Sequence, residues 1–586
     1  MAEERRQNAL DIRIQAARLA KKRDHPTHEA NGDEDRYPET LIGSFTKGLP
    51  HEKETGLLSN PADFADFVRA INTGAIKDIR RLKLGIDEDP RFISGIASKG
   101  DKHPFADTRA WESMAAGLTY DLEGPDAQAV TMPPAPKLDS DELVTEITES
   151  YWMALIRDVP FTEFERDGNT AAAAASISRT RWVQFNEQPS QRPSTLTDEE
   201  IARLRGPYTK KNVFRGVTIG ENVGPYLSQF LLVGTKGIGD VQQISDGYIQ
   251  YGSMRMDQRV RVAAPKRDYM TTWASWLDVQ NAGDLRGREI YDDDTPFRFI
   301  TTPRDLATWV HFDALYQAYL NACIILLDIK APFDPHIPFQ ADDDVDKQQG
   351  FATFGGPHIL SLCTEVATRA LKAVRFQKYN VHRRLRPEAI GGLVERFKKT
   401  NGDAKFAPVK KLVNDLDGDM LRRIEQHNCE QNKLSDDGHA RRDDYSPEGE
   451  SNQTYLLPMA FPEGSPMHPS YGAGHATVAG ACVTVLKAFF DHEYELDFCY
   501  VPTTDGKRLE KVNINEKLTV EGELNKLCAN ICIGRNWAGV HYYSDYFESI
   551  KVGEEIAIGI LQEQKLTYGE DFFMTLSKFD GEKIRI

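Results

Sequence analysis

The chain has 586 residues, with 72 Lys and Arg against 89 Asp and Glu, a net charge of −17. That balance excludes nucleic-acid binding by long-range attraction, and 40% apolar with 27% charged residues is the composition of a soluble protein with a large core. Seven cysteines, an odd number spread from Cys323 to Cys532, supply neither a disulfide framework nor a paired Cys-x-x-Cys zinc pattern.

The N-terminus, Met1-Ala-Glu-Glu-Arg-Arg, lacks the apolar core of a signal peptide. The longest apolar runs, at 322–327 and 478–490, are too short or are interrupted by Lys487 for a bilayer span. The expectation is a soluble chain with no membrane partner. Residues 1–60 are polar and read as an extended arm for oligomerisation, followed by helical parts over 61–330 and 331–586. A Pro- and Ala-rich connector lies within 100–140. Helical patterning covers 139–158, 198–205, 303–329, 357–385, 389–400, 473–490, 521–533 and 541–564, and short β-like pieces fall in 247–262. The predicted class is all-α with minor hairpins.

Four stretches carry chemistry. Phe339-Gln-Ala-Asp-Asp-Asp-Val-Asp-Lys-Gln348 concentrates oxygen donors and is either a calcium loop or a solvated acidic turn. In the run from Leu371 to Ala389, Arg375, Lys378 and His382 share one helical face, and Pro387 should end the helix and swing Arg386 off it. These cations could surround a tetrahedral oxyanion or form a basic surface. Next, Ser465 to His475 is a turn whose Gly472 and Gly474 let amides crowd a ligand at the start of a helix, with His475 at its lip. The alternative there is a plain turn and a half-buried histidine. Last, Arg535 is placed in a Gly-punctuated turn, and His541 and Asp545 stand four apart at the start of a helix, where the carboxylate can orient the ring. Such a histidine is a metal ligand, a nucleophile, or half of an ordinary surface pair.

Taken in order, Lys378-x7-Arg386-Pro387, Gly472-x-Gly474-His475 and Arg535-x5-His541-x3-Asp545 resemble the signature of vanadium-dependent haloperoxidases, a site shared with the type 2 phosphatidic acid phosphatases. The seven-residue gap and His468-Pro-Ser-Tyr-Gly472 resemble the algal and cyanobacterial bromoperoxidases. Ser44–His51, Gly224–Phe230 and Tyr251–Gln258 are similar to the same subfamily, so the resemblance spans most of the chain.

The resemblance implies two four-helix bundles with the active site at the mouth of one. It implies vanadate(V) coordinated by His541, its oxygens neutralised by Lys378, Arg386 and Arg535 and by the Gly474 amide. His475 corresponds to the acid–base histidine at the apical oxygen, and His468, Arg375 and Gln377 to the halide pocket. Vanadate would act as a Lewis acid on hydrogen peroxide, with Lys378 polarising the peroxide, so that bromide or iodide becomes hypohalous acid and halogenates small organic acceptors. A large homo-oligomer, a dodecamer, is implied, as is a structural Ca2+ held by the Phe339 and Ala341 carbonyls with Asp346 and Gln348. Ala473 departs from the family, which usually has Ser there; one charge-assisted hydrogen bond is lost, worth about 1.5–3 kcal/mol. The competing readings are an acid phosphatase with His541 as nucleophile, and a non-catalytic helical assembly protein.

Overall fold

The computed structural model describes residues 2–88, 108–341, 343–434 and 452–586, and the segments of helical periodicity are helices in it. Those that position the candidate residues are α1 (Ala2–Lys21), α2 (Pro61–Thr73), α3 (Asp141–Leu155), α4 (Pro303–Phe312), α5 (Gln317–Asp328), α6 (Gly356–Arg375), α7 (Pro387–Lys399), α8 (Gly418–Lys433), α9 (Gly474–Phe489), α10 (Val520–Trp537) and α11 (Tyr543–Lys565). Strands among the described residues form antiparallel pairs: β1 (Tyr248–Tyr251) with β2 (Met254–Asp257), β3 (Val260–Arg261) with β4 (Phe297–Arg298), β5 (Tyr500–Pro502) with β6 (Leu509–Lys511), and β7 (Thr575–Ser577) with β8 (Lys583–Arg585). The class is all-α, as expected.

Helix α9 is apolar all round and nearly every residue in it is buried, which makes it the axis of a bundle rather than a surface helix. Helices α6, α10 and α11 pack around it. A second group gathers on α3, from Gly168–Ser178, Arg181–Glu187 and α8. One apolar core runs through both groups. Because α8 packs on α3 and α4 packs on α10, the core does not divide at residue 330. No single helix among the described residues is long and apolar enough to cross a membrane.

Four local expectations need correction. The stretch 303–329 is not one helix: α4 and α5 are bent by 100°, with Asp313 in extended backbone between them. The stretch 357–385 changes character after Arg375, where Phe376–His382 forms a wider π turn ended by Arg383 at φ +40°. The wider turn breaks the expected spacing, so Lys378 and His382 point to different surroundings. Arg535 lies inside α10 rather than in a turn; a Cβ on Gly534 would come within 2.9 Å of Val310 Cγ1, so that glycine serves the close approach of α4. His541 precedes α11, whose N-cap is Tyr542.

The segment 1–60 is also only partly peripheral. Helix α1 is largely exposed, whereas Leu41, Phe45, Leu49 and Leu58 are buried with Phe64 and Phe67 of α2 in a small satellite core. Lys47 ties this segment to the site-bearing elements. Its ammonium lies 2.6 Å from Glu388 Oε1, with only 2% and 1% of the two side chains exposed. It also donates to Ser465 O at 2.6 Å, while Glu388 Oε2 accepts from the Ser465 amide at 2.6 Å. Replacing one partner strands the other charge in the core. Lys47→Met should cost about 3–5 kcal/mol of stability, read as a lowered urea midpoint; an unchanged midpoint would mean that Glu388 finds water or another cation.

Candidate functional site

Three buried cations converge from three elements. Lys378, in the π turn, is fully buried and donates to Pro469 O at 2.5 Å and Ser470 O at 3.1 Å. Arg386 is 1% exposed, in extended backbone just before Pro387 at N1 of α7, as the proline requires. It donates to His468 O at 3.0 Å and Val540 O at 2.8 Å. Arg535, 5% exposed, donates to Val310 O at 2.8 Å, and its Nε has no partner. Among the described residues no carboxylate bonds to any of the three. Burial, aided by mutual repulsion, pulls Lys378 well below the usual lysine range and Arg386 down to about 9. Burial likewise lowers Arg535 to about 10, against the pull of Asp313 and Glu463. Uncompensated buried cations of this kind are a seat for an anion.

His541 closes the cluster. Its Nδ1 lies 2.7 Å from Asp545 Oδ2, which sets the tautomer: Nδ1–H donates to the carboxylate and the Nε2 lone pair faces the cations, accepting from Arg386 Nη1 at 3.0 Å. Burial, then Arg386, Lys378 and Arg535, hold its pKa well below the usual value, so the ring is neutral and able to coordinate. Asp545 is itself held: Arg384 Nη1 donates to Oδ1 at 3.0 Å, the Tyr542 amide to Oδ2 at 3.2 Å, and the Ser470 hydroxyl also to Oδ2. Arg384 in turn donates to Glu146 of α3 at 2.7 Å.

The turn before α9 brings the rest. Gly472 takes φ +85°, a conformation that favours glycine, and a Cβ there would press on Val374 Cγ2 at 2.9 Å. Gly474 is the first residue of α9, so its amide has no intrahelical acceptor. A Cβ on Gly474 would lie 3.1 Å from Arg375 Nη1, which places the guanidinium against this helix end. His475 Nε2 is 3.1 Å from Asp313 Oδ1; burial lowers its pKa, Asp313 opposes this and Arg535 reinforces it. His468 Nδ1 accepts from Arg386 Nη2 at 2.8 Å, and burial, then Lys378 and Arg386, keep it neutral. Ala473 is the N-cap residue of α9 and offers the helix no side-chain cap.

Two expected members are turned elsewhere. The Gln377 amide is fully buried and donates to Val130 O at 3.0 Å, beside His28 Nδ1 at 3.2 Å. His382 stands edge-on to Tyr471, and neither of its ring nitrogens bonds to the cluster. The sequence reading missed Asp313, Arg384 and Glu112. Arg384 stood in the basic run itself; the other two carry no local signal, because they reach the site only through the fold. In the loop 339–348, Phe339 takes φ +65° and the Ala341 amide donates to Asp346 Oδ2 at 3.1 Å. Elsewhere, one ligand atom each of Glu289, His311 and Glu463 lies within 4.8 Å of the others. The carboxylates lie at opposite ring nitrogens, 2.7 Å from Nε2 and 3.6 Å from Nδ1, so the group reads as an imidazole held between two acids.

A family model described as the VCPO second helical-bundle domain matches residues 429–568. The chain is similar to the vanadium-dependent bromoperoxidase of Corallina pilulifera, 49% identical over 99% of this chain and 98% of that protein. The vanadium-dependent bromoperoxidase of Ascophyllum nodosum is 32% identical over 95% and 87%. Among solved structures, the homohexameric second vanadate-dependent bromoperoxidase (AnII) from Ascophyllum nodosum superposes with a TM-score of 0.79 at 25% identity, covering 99% of this chain and 90% of that one.

The depressed cations make a signed pH prediction. An anion beside Arg386 or Lys378 restores its affinity for the proton, so binding takes up protons and strengthens as pH falls through the depressed values. Sulfate keeps its charge throughout and serves as the probe. Calorimetry in buffers of different ionisation enthalpy should show proton uptake and tighter sulfate binding on going from about pH 10 to about pH 8. Affinity that is flat with pH would mean that these cations are ordinarily charged.

Proposed function

The chain belongs to the vanadium-dependent bromoperoxidases, and we propose that its buried cationic pocket holds vanadate and uses hydrogen peroxide to oxidise bromide or iodide, releasing hypohalous acid to small organic acceptors. The observation that carries this is the pairing of three buried cations that lack carboxylate partners with a neutral histidine whose Nε2 lone pair points at them. Vanadate, when bound, supplies a Lewis acid that activates peroxide without changing its own oxidation state.

The chain's residues divide the work by chemistry. His541 Nε2 is the ligand atom, and Asp545 keeps the ring in that tautomer. Lys378, Arg386 and Arg535 neutralise the oxyanion, with the Gly474 amide as a further donor. Lys378 would also be placed to donate a charge-assisted hydrogen bond to a ligand of that oxyanion. His475, poised by Asp313, accepts a proton from incoming peroxide at the ring nitrogen away from the carboxylate. His468 and Arg375 line the halide side. Gln377 takes no direct part, since its amide faces Val130 and His28.

A cation site and an assembly belong to the same reading. The oxygen donors of Phe339, Ala341, Asp346 and Gln348 suit a hard cation, and we assign Ca2+ there. A homo-oligomer is proposed, with α1 as a contact; the AnII relative is homohexameric, so a hexamer stands beside the dodecamer as the expected size.

The deciding experiment is bromide oxidation by the purified chain with peroxide, before and after orthovanadate. Activity should appear only with vanadate and be suppressed by competing phosphate. His541→Ala should retain no vanadium by elemental analysis while keeping its helical circular dichroism. Silence at saturating vanadate, with phosphomonoester hydrolysis instead, would overturn the reading. A second outcome concerns Ala473. A serine there would cap α9, adding about 1 kcal/mol to apoprotein stability, and its hydroxyl would add a hydrogen bond to the oxyanion. Ala473→Ser should therefore raise the melting temperature and tighten vanadate binding by about tenfold or more; looser binding would show that the turn has been rebuilt around alanine.

A further inference from the structure

One carboxylate of the pocket has no role in the chemistry above. Glu112 Oε1 accepts from Arg375 Nε at 3.0 Å and from Nη2 at 2.6 Å, and Glu112 Oε2 lies 3.2 Å from His468 Nε2. Its backbone is tied to both sides of the site. The Glu112 amide donates to Met467 O at 3.2 Å, beside His468, and Glu112 O accepts from the Tyr379 hydroxyl at 3.1 Å, beside Lys378. The placement is therefore built rather than incidental.

Exposure gives the arrangement a direction. The side chains of Arg375 and His468 are 8% and 12% exposed, whereas Glu112 keeps 41% of its side chain in water. The carboxylate stands between solvent and the cations. On its inner edge, Arg375 Nη1 is buried and unpartnered, against the start of α9. Glu112 Oε2 faces the Nε2 side of the His468 ring, while Nδ1 has Arg386 Nη2 at 2.8 Å and Pro469 O at 3.3 Å. Among the described residues no other carboxylate pairs with Arg375 or lies at ion-pair distance from His468.

A halide approaching this mouth meets a carboxylate that already holds Arg375 and lies against His468. Charges a few ångströms apart near a protein surface interact strongly enough to change anion affinity several-fold. We propose that Glu112 is a specificity-determining counter-ion, which occupies Arg375 beside His468 and so sets how weakly the pocket binds halide. This rests on the reading of the pocket as the site of bromide oxidation. The well-hydrated chloride ion is disfavoured more than bromide or iodide, because it must give up more hydration to displace the carboxylate.

The test uses the full chain loaded with vanadate at saturating peroxide. For Glu112→Gln the KM for bromide should fall by about threefold or more, and by a larger factor than any change in kcat. Glu112→Asp keeps the charge and should keep a KM near that of the unsubstituted chain; Glu112→Ala is a second neutral variant should Glu112→Gln fail to fold. An unchanged or raised KM in an active neutral variant overturns the proposal. So does an aspartate variant whose KM falls as far as the glutamine one, because the cause would then be lost contact and not charge. An unsubstituted chain that fails to oxidise bromide overturns the functional reading, and this inference with it; activity with an unchanged KM sinks this inference alone.

Discussion

Three cations kept out of water with carbonyl groups for company are the constraint on which the rest of this structure depends. Lys378, Arg386 and Arg535 each accept an electrostatic penalty that burial alone would not allow in an ordinary core. The fold tolerates it because each head group is held by backbone oxygens whose own positions are set by rigid elements: the 469–470 turn, the segment entering α11, and the end of α4. A tetrahedral oxyanion placed among them would offset that penalty.

The histidine that completes the pocket is controlled from far away in sequence. His541 is oriented by Asp545, Asp545 by Arg384 and Ser470, and Arg384 by Glu146 of α3. This chain of charge-assisted bonds links the two helical groups. An isolated bundle carrying only α6, α9, α10 and α11 would lack the Glu146 end of the chain. A metal-binding histidine is only as well defined as the groups behind it.

The pocket combines neutral and charged groups in a way that suits peroxide and halide chemistry. Burial beside cations keeps His541 and His468 neutral, so one can coordinate and the other can accept a hydrogen bond from Arg386. Burial lowers the proton affinity of His475, with Asp313 opposing that and Arg535 reinforcing it. A phosphate-transferring pocket would use the same oxyanion seat, but the family membership decides between the two chemistries.

The sequence by itself determined the helical class and singled out Lys378, Arg386, Arg535 and His541 as candidates, because these are carried by short stretches and by the resemblance those stretches bear. Pro387 alone placed Arg386 off its helix, and His541 with Asp545 needed only four residues to meet. Only the tertiary structure decided the rest. The π turn after Arg375 carries Lys378 inward and turns His382 and Gln377 away from the cluster, and no periodicity argument foresees a change of helical pitch. Arg535 proved helical because Gly534 answers to the packing of α4, a neighbour more than two hundred residues away. Asp313 and Glu112 entered the site through a bend and a tethered loop. Their contacts are made between distant segments, where local sequence has no term that could report them.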